Sequence, residues 1–201
     1  MPADLEPAAP PHVLNALMPP QGDLWVFGYG SLMWDPGFPF VQAEAGLLHG
    51  YHRAFCMVSR RHRGTPEQPG LVLALDKGGS CRGMAYRVVR SSAETVLSYL
   101  WDREMVRYAY VPRTVTVRLR TQEVQCTTFV ADRDHASYAG RLAPQRAARI
   151  IRRAHGGRGS NRDYLASTIA HLDELGIAAG PLRHLLRLVD GSKPQDGGLD
   201  D

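Results

Sequence analysis

The run Trp25-Val26-Phe27-Gly28-Tyr29-Gly30-Ser31-Leu32-Met33-Trp34 decides how the rest of the chain is read. Leu24 to Phe27 is apolar, aromatic and β-branched, the mark of a buried strand. The strand then breaks into Gly28-Tyr29-Gly30-Ser31. Glycines on both sides of one tyrosine allow positive φ and let a ligand approach the main chain closely. A strand that ends in glycines and a hydroxyl presents several N–H groups in one direction, which suits an anion, most simply a carboxylate. Three familiar patterns do not fit. Met33 occupies the third glycine position of a dinucleotide fingerprint. Tyr29 and Met33 replace the glycines of a nucleophile elbow around Ser31. No Gly-Lys-Ser/Thr follows, so the run is not a P-loop. The plainer alternative is a strand closing in a glycine turn.

Downstream of that run, Gly46 to Val58 reads as a long strand. Arg60 to Gly70, with three Arg, one His, two Pro and two Gly, reads as a loop. His62 in it is either a ligand or base, or a hydrogen-bonded surface group. Leu71–Leu75 and Gly83–Val89 read as strands joined by a hairpin at Lys77-Gly78-Gly79. Ser91-Ser92-Ala93-Glu94 is a capping box opening a helix to about Arg103. Tyr108–Val111 and Thr114–Leu119 are strand split by Pro112, and Glu123–Ala131 is another strand. Pro144–Ala154 is a helix, Gly156–Gly159 a loop, and Ser160 the N-cap of a helix that ends at Gly176. Leu182, Leu185, Leu186 and Val189 mark a last helix. Strands first and helices second imply an α+β fold whose mixed sheet curls towards a small β-barrel. Residues 1–23 read as a proline-rich arm with a short helical turn near Val13–Met18, 24–190 as one domain, and 191–201 as a flexible polar tail.

Leu97, Leu100 and Trp101 share one face of the first helix, and Glu104 is the next member of that face. A carboxylate in line with the core, at the helix end whose half-dipole disfavours negative charge, has its pKa raised on both counts. The alternative is a frayed end where Arg103 or Arg107 pairs with it at the surface.

Composition narrows the function classes. The 201 residues are 44% hydrophobic and 22% charged, as in a soluble globular protein. No apolar run approaches the roughly 20 residues of a membrane helix. The first twenty residues carry six prolines and no basic cluster before an apolar core, unlike a secretory signal. Cys56, Cys81 and Cys126 are odd in number and far apart, which points to a reducing compartment, the cytoplasm, and against disulfides or zinc. His49 and His52 fall on opposite faces of a strand, so no metal site is expected. The net charge of +4 comes from 22 Arg and 2 Lys against 20 acids. These cations are dispersed, with short clusters at Arg60–Arg63 and Arg146–Arg153, rather than gathered in a nucleic-acid stripe. A mildly basic surface also attracts a small acidic substrate.

Val26-Phe27-Gly28-Tyr29-Gly30-Ser31-Leu32 followed by Trp34 resembles the opening motif of the ChaC family of glutathione-specific γ-glutamylcyclotransferases. Four further motifs stand in the same order: Arg61-His62-Arg63-Gly64-Thr65-Pro66, Gly83-Met84-Ala85-Tyr86-Arg87, Tyr99-Leu100-Trp101-Asp102-Arg103-Glu104 and Gly159-Ser160-Asn161-Arg162-Asp163-Tyr164-Leu165. The resemblance runs from about Leu24 to Val189. It implies a small closed sheet with helices outside, no cofactor, and glutathione as a small-molecule substrate cleaved to 5-oxoproline and Cys-Gly. It implies that Glu104 is the catalytic glutamate, and that Val26, Phe27, Gly28, Tyr29, Gly30, Ser31 and Leu32 line the substrate pocket. Tyr164 is an accessory hydrogen-bond donor or a packing residue at a helix start. Arg61–Pro66 is expected at the pocket rim. One departure stands at Met105-Val106-Arg107-Tyr108-Ala109-Tyr110, where the family commonly shows a Gly-Tyr-Arg step. It leaves open the peptide preferred on the leaving-group side. Two rival readings remain: a cyclotransferase for other γ-glutamyl amines or amino acids, and a non-catalytic anion-binding regulator, as the family's historical name suggests.

Overall fold

A computed structural model of the chain describes residues 10–105 and 109–191. The Val106-Arg107-Tyr108 step, the first nine residues and residues 192–201 lie outside the described residues. Two compact units divide it: residues 10–54 and 73–138, and residues 55–72 and 139–191. Among the described residues, no helix is long and apolar enough to cross a membrane.

The first unit is built on a closed five-stranded barrel. Its strands are β1 (Leu24–Gly28), β2 (Gln42–Ser59), β3 (Gly70–Val88), β4 (Tyr110–Arg118) and β5 (Glu123–Ala131), in spatial order β1-β3-β2-β4-β5, with residues 55–59 of β2 and 70–72 of β3 counted in the second unit. β1 runs antiparallel to β3, with Val26 opposite Tyr86, and closes the barrel by parallel pairing with β5, Val26 opposite Thr127. Closure pairs both edges of a short sheet and so removes the exposed edges that invite aggregation. Helix α2 (Ala93–Glu104) buries Ala93, Val96, Leu97, Leu100 and Trp101 in one apolar cluster with Leu24, Val26 and Val88 of the barrel. Helix α1 (Pro11–Leu17), in the arm, lays Val13, Leu14 and Leu17 on the same cluster.

Four local expectations are corrected here. No turn forms at Lys77-Gly78-Gly79, and β3 runs through it as one strand. Gly78 and Gly79 do take positive φ, 101° and 70°, but this bends the strand rather than reversing it. Gly50 of neighbouring β2 is bent too, at φ 85°, and His52 Nδ1 lies 2.9 Å from the Gly78 carbonyl oxygen. The Ser91–Glu94 capping box is not made, because Arg90–Ser92 is a 3-10 turn and Ser92 caps nothing with its side chain. Asp23 supplies the cap instead: its Oδ1 accepts from the Arg90 N–H at 3.1 Å. Pro112 does not split β4. It sits opposite Phe129 of β5, while the described β2 pairing reaches β4 only at Val117 and Arg118, so its missing N–H interrupts no ladder. Gly156–Gly159, read as a loop, is the turn of a small hairpin, β6 (His155–Gly156) with β7 (Gly159–Ser160).

The second unit contains α3 (Pro144–Arg153), that hairpin, α4 (Asn161–Glu174) and α5 (Gly180–Asp190). Its core includes Ile151, Leu165, Leu172, Leu182 and Val189. Ser160 caps α4 as its sequence position predicts, its Oγ accepting from the Asp163 N–H at 3.0 Å. Asn161 is fully buried and binds both main-chain groups of Leu71, Oδ1 accepting from the N–H at 2.6 Å and Nδ2 donating to the carbonyl at 2.7 Å.

Candidate active site

β1 delivers the turn that follows it into a 3-10 segment, Ser31–Met33. Neither Gly28 nor Gly30 uses the positive φ that glycine allows. Gly28 is instead a close-packing position: a Cβ there would meet the Leu32 Cβ at 3.0 Å. Its carbonyl oxygen, in turn, fills the place where Gly83 of β3 would carry a Cβ. The backbone therefore folds back on itself tightly for want of side chains. Met33 N–H donates to the Gly30 carbonyl at 2.9 Å, which leaves the Ser31 and Leu32 amides at the open N-terminal end of the segment.

Three side chains from three elements fix this turn. Arg53 of β2 donates from Nε to the Tyr29 carbonyl at 2.6 Å and from its terminal nitrogen to the Arg82 carbonyl at 2.7 Å. Burial lowers the Arg53 pKa. Tyr86 of β3 donates to the Met33 carbonyl at 2.7 Å, and burial pushes its pKa up to about 12, so it stays a donor. Arg103 of α2 donates to Ser31 Oγ at 3.0 Å. Tyr86 and Arg103 stand inside the quoted motifs, whereas Arg53 stands in none of them. The sequence shows there only an arginine within a strand pattern, which does not say what it meets.

Glu104 is the last residue of α2 and follows the buried face of Leu97, Leu100 and Trp101. Its side chain is only 18% exposed. The Arg103 pairing foreseen as a surface alternative does form, with Nε 3.5 Å from Oε1, but at a largely covered position. Burial holds the carboxyl pKa above its ordinary value, and the Arg103 cation opposes that rise. One guanidinium thus joins Glu104 to Ser31, while its other nitrogen contacts the Tyr99 hydroxyl at 2.9 Å and the Pro36 carbonyl at 3.3 Å. Gly37, at φ 72°, brings the following loop so close that a Cβ there would clash with the Tyr99 hydroxyl.

The remaining candidates are placed as follows. Val26 and Phe27 are fully buried, and Tyr29 and Leu32 nearly so. Of the quoted turn, Ser31 is exposed and Gly30 partly exposed. A ligand there meets main-chain amides and one hydroxyl rather than apolar side chains. Tyr164 belongs to the second unit, where its ring packs edge-on against Phe55 at 5.6 Å and lies under the Arg63 guanidinium at 4.8 Å. Arg61 and His62 accept from the N–H groups of Gly157 and Arg158 at 2.8 and 2.9 Å, which gives the Arg61–Pro66 motif a structural task in that unit. Among the described residues, no three His, Cys, Asp or Glu side chains are grouped so as to hold a metal ion.

An acid at a covered helix end, tied by one cation to a turn with open amides, can exchange a proton beside a bound carboxylate. Comparison with known proteins gives the family. The ChaC-like protein family matches residues 24–192. A glutathione-specific γ-glutamylcyclotransferase of Escherichia coli (strain K12) is 40% identical over 172 residues, covering 85% of this chain and 74% of the relative. A human one, glutathione-specific γ-glutamylcyclotransferase 1, is 33% identical over 172 residues, covering 83% and 77%. The crystal structure of a yeast γ-glutamyl cyclotransferase specific to glutathione superposes with a TM-score of 0.75 at 23% identity, over 89% of this chain and 100% of that one. That superposition shows the γ-glutamylcyclotransferase-like fold, the α+β barrel with external helices expected from the order of elements. With the match extending over the whole of β1 to α5, the chain belongs to the ChaC family.

Proposed function

We propose that this chain is an enzyme that cyclises the γ-glutamyl group of glutathione, releasing 5-oxoproline and Cys-Gly. The α-amine attacks the γ-carbonyl carbon, the new C–N bond closes a five-membered ring, and the old amide C–N bond breaks. No water is consumed. The substrate supplies its own nucleophile, and intramolecular attack has effective molarities on the order of 10⁵ M or more. What remains for the protein is to fold the substrate, take one proton and return it.

In this reading Glu104 accepts a proton from the α-ammonium, which titrates near ~8, and passes it to the departing nitrogen; the second proton shed by the ring nitrogen goes to solvent, which returns one to the released amine. The open amides of Ser31 and Leu32 receive the α-carboxylate or the developing oxyanion. Residues 24–190 carry the catalytic activity, with the arm and the tail accessory to it. The reaction runs without a cofactor and in the cytoplasm, where glutathione is kept as the thiol. Activity recovered outside the cytoplasmic fraction would contradict that location.

The observation that carries the substrate assignment is the naming of relatives across bacteria and vertebrates as glutathione-specific cyclotransferases, at up to 40% identity. The observation that supports the role of Glu104 is its covered position, one guanidinium away from Ser31. Incubation with glutathione and detection of 5-oxoproline tests the activity, with γ-glutamyl-alanine and γ-glutamyl-lysine run alongside. Product from those and none from glutathione would overturn the substrate. Glu104→Gln is expected to lose at least ~100-fold in turnover while still binding glutathione. Near-normal turnover in that variant would remove Glu104 from the chemistry.

A further inference from the structure

Arg103 makes more contacts at the site than the proposed chemistry requires. Its Nε faces Glu104 Oε1 at 3.5 Å, one terminal nitrogen holds Ser31 Oγ at 3.0 Å, and the other holds the Tyr99 hydroxyl at 2.9 Å and the Pro36 carbonyl at 3.3 Å. The side chain is 20% exposed, so this is a packed arrangement and not a solvated surface pair. A planar guanidinium can satisfy acceptors in three directions at fixed angles, which an ammonium cannot. We infer that Arg103 is a positioning residue, tying the Glu104 carboxyl to the Ser31 turn and setting the pH range in which that carboxylate is available. The inference rests on the proposed role of Glu104 as the proton acceptor.

The electrostatics follow from the placement. A proton acceptor must be ionised before substrate arrives. Burial and the C-terminal half-dipole of α2 both favour the neutral acid. Among the described residues, Arg103 is the charged group in direct contact with the carboxyl that favours the ionised form. Among the described residues, the other charged or titratable groups around the turn are Arg53 of β2, which contacts the Tyr29 carbonyl and the Met33 sulfur, Tyr29 and Cys81 beside Arg53, Tyr86 of β3 at the Met33 carbonyl, and Asp35 just beyond the 3-10 segment. Tyr99 and Asp102 share the helix with Glu104. Loss of Arg103 therefore leaves the acid with its burial and without its counter-charge.

The test compares Arg103→Gln and Arg103→Lys with the wild type. In Arg103→Gln the acid limb of kcat/KM moves to higher pH, so the ratio of kcat/KM at pH 8 to that at pH 6 rises by at least ~3-fold. In Arg103→Lys, which keeps the charge but not the fork, that limb stays in place while kcat falls. A readout independent of turnover is the ¹³C titration of the Glu104 side-chain carboxyl, its signal assigned by its absence in Glu104→Gln. It moves upward in Arg103→Gln. An unchanged Glu104 titration in Arg103→Gln overturns the inference, as does an equal upward shift in Arg103→Lys. The Lys variant carries the test if the Gln variant does not fold. A wild type that makes no 5-oxoproline contradicts the proposed function instead, and the carboxyl titration still decides the point about Arg103.

Discussion

Asn161 offers the cleanest measure of what the Gly159–Leu165 motif does. Its side chain is fully buried, and its amide matches both main-chain groups of Leu71, at 2.6 and 2.7 Å. Gly70 beside it leaves room: a Cβ there would stand 2.6 Å from Asn161 Oδ1. Asn161→Ala strands a buried N–H and a buried carbonyl together, at about 1–3 kcal/mol each, so a loss of about 4 kcal/mol is expected. In a chain of this size that lowers Tm by roughly 10 °C. Asn161→Asp is more discriminating. As a neutral acid it reproduces both bonds, O–H donating to the Leu71 carbonyl and the other oxygen accepting from the N–H. As a carboxylate it turns a lone pair on that carbonyl and is buried uncompensated. Its folded pKa must therefore lie above the unfolded value of about 3.9. A group raised in this way contributes its full stability below the unfolded pKa and loses it as pH rises through the folded one. Urea denaturation of both variants against wild type, at matched pH values from 4 to 8, reads the difference. Asn161→Asp approaches wild type at the acid end and Asn161→Ala at the neutral end. A penalty for Asn161→Asp that is flat across this range, or an Asn161→Ala loss under about 1 kcal/mol, would refute the reasoning.

Further outcomes can be checked on the same preparations. Glu104→Gln is expected to be more stable than wild type at pH 7, because burial raises the folded pKa of the acid above its unfolded value. That gain shrinks as pH falls through the folded pKa and vanishes below the ordinary glutamate value of about 4.3, so a Tm difference that persists at pH 3.5 counts against it. Gly37→Ala combines left-handed strain, about 1–2 kcal/mol, with a Cβ driven into Tyr99, whereas Gly50→Ala carries the strain alone, with nothing within 4 Å. Both lose stability by calorimetry, but only Gly37→Ala also loses kcat/KM, and equal activities in the two would show that the Tyr99–Arg103 contact is idle. Arg53→Met removes two charge-assisted bonds worth about 1.5–3 kcal/mol each, one to the turn at Tyr29 and one to Arg82 of β3, and is expected to raise KM for glutathione at least ~10-fold. An unchanged KM would mean that the turn holds its shape without Arg53.

What was legible in the chain follows the range over which each signal acts. Helix faces and caps set by neighbours three or four residues away read correctly, as at Leu97–Trp101 and Ser160–Asp163. β5 was read to the residue, since its β-branched run is bounded on both sides. Failures occurred where a distant residue supplied what a local motif advertised. Ser91–Glu94 has the form of a capping box, but Asp23, already close to Arg87 at 3.4 Å, takes the Arg90 N–H first. Gly78-Gly79 has the form of a hairpin turn, but β2 runs alongside with its own bend at Gly50, so a long strand bends where a short one would reverse. The same holds for the site. Glu104 showed itself because a carboxylate breaks the apolar period of α2. Arg53 did not, because nothing in its own stretch of strand reports that it meets Tyr29, 24 residues earlier.

The position of Glu104 links the stability of the barrel to the proposed chemistry. Leu97, Leu100 and Trp101 bury against β1, and that packing fixes the rotation of α2 about its axis. Seven residues beyond Leu97 the helix has turned almost twice, so residue 104 must lie on the same side whatever its own preference. The core thus supplies the energy that holds a carboxylate where burial and the helix dipole both oppose its charge. Arg103, one step back on the helix, sits about 100° round, far enough to leave the core face and reach Ser31 and Tyr99, and near enough to meet the carboxyl. Leu100→Ala, which removes a fully buried side chain from that face, should therefore lower kcat beyond what its loss of stability in urea accounts for, and a kcat equal to wild type would show that the packing of this face does not set the position of Glu104.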